Sequence, residues 1–67
     1  MTTATESVAA ACRAMTMAGD AMRAFTQACA ANDWDAAERH RAAFEDAMDA
    51  HFDHIAAAHR LLAESNG

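Results

Sequence analysis

Alanine occupies 21 of the 67 positions of this chain, and proline occupies none. Alanine gives up no side-chain entropy in a helix, and proline is the residue that most reliably stops one, so little other than helix is open to such a chain. Gly19 is the only helix breaker between Thr5 and Ala30, and one interior glycine costs about 1 kcal/mol, which a long helix absorbs. The break falls at Ala31-Asn32-Asp33, because Asn and Asp bond their own backbone and prefer caps to helix interiors. The sequence therefore predicts an all-α fold in one domain, with helix 1 over about 4–30, a turn at 31–33 and helix 2 over about 34–63. So short a connection turns the second helix back along the first as an antiparallel hairpin. Thr3 and Glu6 have the spacing of a capping box; Asn32 or Asp33 can cap helix 2, with Asp35 in its positive first turn.

Heptads set the expected packing. In helix 1, Val8, Met15, Met22 and Cys29 recur every seven residues, flanked by Ala11, Ala18 and Phe25. In helix 2, Trp34, Arg41, Met48, Ile55 and Leu62 do the same, with Ala37, Phe44, His51 and Ala58 beside them. This is a coiled-coil-like period, and the large apolar stripes are expected to meet between the two helices. A second pair of rows keeps the same spacing: Ser7, Ala14, Ala21 and Ala28 on helix 1, and Ala36, Ala43, Ala50 and Ala57 on helix 2. Small side chains allow backbones to approach closely. These alanines are therefore expected to mediate self-association, a homodimer being favoured, with two hairpins pairing into a four-helix bundle. Chain length points the same way, since below roughly 70–80 residues a core seldom suffices without a staple.

Little in the sequence points to bond-making chemistry. His51 and His54 are three apart on one side of helix 2, a spacing that can chelate a metal, and His40 extends that flank. Helix 1 offers no inward carboxylate or imidazole, and there is no Glu-x-x-His, so the histidines read as interfacial and no metal or other cofactor is expected. Cys12 and Cys29 are 17 residues apart on one helix, about 25 Å, too far to bond to each other, which points to a reducing, cytoplasmic setting. No phosphate loop, nucleophile–base set or paired CxxC motif is present, and no enzymatic activity is expected. Arg41, placed in an apolar stripe, is expected to send its head to solvent or to pair with Glu38 or Glu45.

A net charge of −5 argues against direct nucleic-acid binding and against an acidic lipid surface. No apolar run approaches a membrane span, and residues 1–20 lack the layout of a signal peptide. The leading expectation is a non-enzymatic helical protein–protein interaction or assembly module that self-associates and binds another protein. Met17 and Leu61, large side chains off the stripes, are its expected partner-binding anchors. An alternative is a small acidic inhibitor, of the kind phage and mobile elements use, blocking a partner's nucleic-acid-binding surface with Glu45, Asp49 and Asp53. A His-based metal-binding bundle is the third.

Overall fold

The computed structural model describes residues 2–66. Two helices account for nearly all of it: α1 spans Ala4–Ala30 and α2 spans Trp34–Asn66, packed along each other as a hairpin. Helix α2 thus runs past residue 63, where the sequence reading stops it, because nothing at Glu64 or Ser65 forces the backbone out of helix.

The ends of the helices have local causes. Thr3 is extended, with φ −96° and ψ 163°, and its hydroxyl oxygen accepts from the Glu6 N–H at 3.1 Å. The Thr3 hydroxyl donates to the Glu6 carboxylate at 3.3 Å, so side chain meets side chain where a full capping box would reach the backbone. At the other end of α1, Asn32 adopts φ 57°, a left-handed conformation that Asn tolerates better than most residues. The Asp33 N–H donates to the Ala28 carbonyl at 2.9 Å and the Asn32 N–H to the Cys29 carbonyl at 3.1 Å. That pair of bonds is a Schellman motif, which satisfies two orphan carbonyls as the chain reverses. Asp33 then starts α2, its Oδ1 accepting from the Ala36 N–H at 3.2 Å. One dipeptide closes the first helix and opens the second.

The packing between the helices differs from the expected one. Among the described residues, the buried ones are nine alanines and Ser7, and nothing larger. On α1 they are Ser7, Ala14, Ala21 and Ala28, with Ala11 and Ala18. On α2 they are Ala36, Ala37, Ala47 and Ala58. The half-buried Phe44, His51, His40, His54 and Leu61 complete the α2 side of the seam, so α1 supplies small residues and α2 some large ones. Most of the stripes expected inside lie outside: Met15 is 43 % and Met22 42 % exposed, and Val8, Trp34 and Leu62 are exposed as well, while Cys29, Met48 and Ile55 are half-buried. An alanine seam lets the helix axes come close, and the longer side chains one position around each helix then splay over the surface.

Gly19 is half-buried within α1, and a β-carbon there would meet only the Arg23 guanidinium, at an ordinary 3.9 Å. Gly19→Ala should therefore stabilise the hairpin by about 1 kcal/mol, raising the melting temperature about 4–8 °C in a circular-dichroism melt. A fall would mean that this stretch of α1 needs the freedom of glycine.

Candidate interaction face

The level of one helix against the other is fixed by a side chain. His51 Nδ1 lies 2.9 Å from the Ala11 carbonyl oxygen, deep in the sequence of each helix, and in the tautomer that protonates Nδ1 it donates to that oxygen. With residue 51 level with 11, Val8 comes within one residue of the level of Ile55, Met15 of Met48, Met22 of Arg41, and Cys29 of Trp34 at the turn. An antiparallel pair has an approximate two-fold axis perpendicular to the plane of its helices, so equivalent positions beside the seam lie on the same face. Both large apolar stripes therefore share one face of the hairpin. Phe52, one position further around α2 and exposed, broadens it, with its ring edge-on to His51 at a centroid distance of 5.3 Å.

Arg41 is the one charge in these stripes, and its surroundings neutralise it. Its guanidinium donates to Glu38 at 3.0 Å through Nε, a second time to Glu38 through Nη2, and to Glu45 at 2.6 Å through Nη1. Hydrogen bonds to Glu38 and then to Glu45 push the Arg41 pKa above its ordinary value, and the hydrogen bond from Arg41 holds the Glu38 carboxyl below the ordinary one. The pairs draw the charged head toward the row of Glu38 and Glu45 and leave the stem on the face.

The opposite face carries small residues. A shallow recess there is lined by Ala14, Met17, Ala43, Asp46, Ala47 and Ala50. Met17 is its one large apolar side chain and is well exposed.

The residues singled out in the sequence fall into separate places. Of the alanines assigned to self-association, Ala14, Ala21, Ala28 and Ala36 are buried within the single hairpin. Ala50 and Ala57 are half-buried and Ala43 is exposed, on the small-residue face. Leu61 is half-buried and lines the open end of the seam with Ser7, His54 and Ala57. Glu45 is tied to Arg41, while Asp49 and Asp53 are exposed on the outer side of α2. His40, His51 and His54 sit half-buried along the seam; among the described residues no group of three or more His, Cys, Asp or Glu could hold a metal ion. Cys12 and Cys29 are free thiols. Phe52 escaped the sequence reading, although an aromatic in the otherwise polar row of Glu38, Glu45 and His59 was a readable sign of an occupied surface.

Among the described residues no helix is long and apolar enough to cross a membrane. No family model, no curated protein and no solved structure matches this chain.

Proposed function

We propose that this chain is a non-enzymatic helical assembly module that works by having its large apolar face covered by another helical surface. The observation that supports this is the division of labour among its side chains. The alanines hold the hairpin together, while Val8, Met15, Met22, Trp34, Phe52 and Leu62 stay exposed. A contiguous apolar face rimmed by polar residues is the usual mark of an interaction surface. Its chemistry suits covering rather than bond-making, since the only ionisable groups in its two stripes are the Cys29 thiol and the paired Arg41 guanidinium. Free thiols fit a reducing, cytoplasmic setting. The acidic-inhibitor reading is weaker, because Arg41 engages Glu38 and Glu45 and so removes part of the acidic row from any basic partner.

Methionine oxidation tests the proposal, since the thioether reacts according to its exposure. With dilute peroxide in native lysate, Met15 and Met22, both exposed in the single hairpin, should oxidise several-fold more slowly than Met17, which lies on the opposite face. Changing Glu45, Asp49 and Asp53 together to Gln, Asn and Asn should leave that protection in place. If Met15 and Met22 react as freely as the isolated hairpin exposes them, the face is uncovered and the proposal fails. If the acid variant alone abolishes protection, the acidic-inhibitor reading replaces it.

A further inference from the structure

We infer that the cover for the large apolar face is a second copy of this chain, seated face to face in a two-fold dimer of four helices. The inference rests on the assembly reading above and names the partner that the reading leaves open.

Three observations carry it. The first is area. The hairpin measures 53 × 15 × 13 Å, so its broad face offers on the order of 800 Å², about what each partner contributes to a stable, specific interface. The second is the lack of layers. A stable fold encloses its core between two layers of secondary structure, and this hairpin is one layer with only alanine and Ser7 buried. Stacking face against face would create the missing core from Val8, Met15, Met22, Met48, Ile55 and Leu62. The third is self-complementarity. The two stripes run side by side with matched levels, so a two-fold axis parallel to the helices places the α1 stripe of one copy over the α2 stripe of the other. Val8 then meets Ile55 of the second copy, and Met15 meets Met48, in each case twice by symmetry. The Met22 level brings in Arg41, whose charge is already held by Glu38 and Glu45 at the rim, so no unpaired ion enters the contact. A lipid surface is a poor competitor: that rim is acidic, and the chain carries a net −5 with no lysine.

The test uses the purified full chain. Light scattering at tens of micromolar should give twice the 7.1 kDa chain mass, and the melting temperature should rise with concentration. Trp34, the only tryptophan, is exposed at the turn end of the face, so its emission should shift to longer wavelength on dilution as copies separate. Met15→Ala with Met48→Ala keeps helix propensity and the alanine seam, and should weaken the dimer at least about 100-fold. Met17→Ala, on the opposite face, should leave the mass at two copies. Should the double variant fail to fold, the concentration dependence of wild-type melting and of Trp34 emission still decides. A wild-type mass of 7.1 kDa with a concentration-independent melt overturns the inference, as does any other multiple. So does Met17→Ala dissociating the dimer as strongly as the double variant. A monomeric purified chain whose Met15 and Met22 are nonetheless protected in lysate would end the second-copy inference and leave the assembly reading intact. Loss of protection there as well would end both.

Discussion

Ala21→Glu is expected to unfold the hairpin, and Ala50→Glu to leave it folded. The two positions look alike in the sequence, both alanines in seven-residue rows beside apolar stripes, yet the fold treats them differently. Ala21 is 9 % exposed in the seam and faces α2. A carboxylate there is taken out of water with no cation built to receive it, at a cost of several kcal/mol, comparable to the few kcal/mol a core this small supplies. Ala50 is half-buried on the small-residue face, where a glutamate can turn its carboxylate into solvent and the cost stays within about 1 kcal/mol. Helicity measured by circular dichroism at 25 °C should collapse for the first variant and persist for the second. Equal losses in both would mean that the alanine rows of α1 and α2 share one environment, and the seam described above would be wrong.

That difference marks where the sequence stops being legible. The helical hairpin could be read without a structure, because its signals are local: the absence of proline, the Thr3 cap beside Glu6, and the Asn32-Asp33 break between two long alanine-rich stretches. The seam is not local. Ranking side chains by hydrophobicity puts Met15, Met22, Met48 and Ile55 inside, and in a large core that ranking usually prevails. Here the alternative seam lies only one residue position around each helix, and the choice depends on how closely two backbones can approach, which no single stripe records. One clue spanned both helices. The small row of Ser7, Ala14, Ala21 and Ala28 on α1 needs bulk opposite it, and α2 provides Phe44, His51 and Leu61 in rows that also contain Ala37, Ala47 and Ala58. Reading α2 against α1, rather than each helix against solvent, would have placed the histidines in the seam and the methionines on the face.

Ala18→Leu gives the sharpest test of that packing, because it sets hydrophobicity against shape. Ala18 is 1 % exposed at the middle of α1. Counted by buried area alone, the added carbons of leucine would stabilise the fold by about 2 kcal/mol. Close packing opposes this. Helix axes lie 8–10 Å apart according to the side chains between them, and a seam of alanines belongs at the near end of that range. Admitting an isobutyl group forces the helices apart over the neighbouring turns, where Ala11, Ala14, Ala21 and Ala47 lose contact together. Even a gap of about 0.5–1 Å forfeits a quarter to a half of each dispersion contact, and many contacts are affected at once. The net expectation is a loss of about 2 kcal/mol, within the usual range for overpacking, and a melting temperature lower by roughly 8–16 °C. Ala9→Leu, on the exposed side of the same helix, adds the same carbons without wedging anything and should shift the melt by no more than about 4 °C. Both melts belong at one protein concentration, so that association does not enter the comparison. If Ala18→Leu melts at or above the wild type, there is room between the helices, and the close alanine seam that puts the methionines on the surface does not exist.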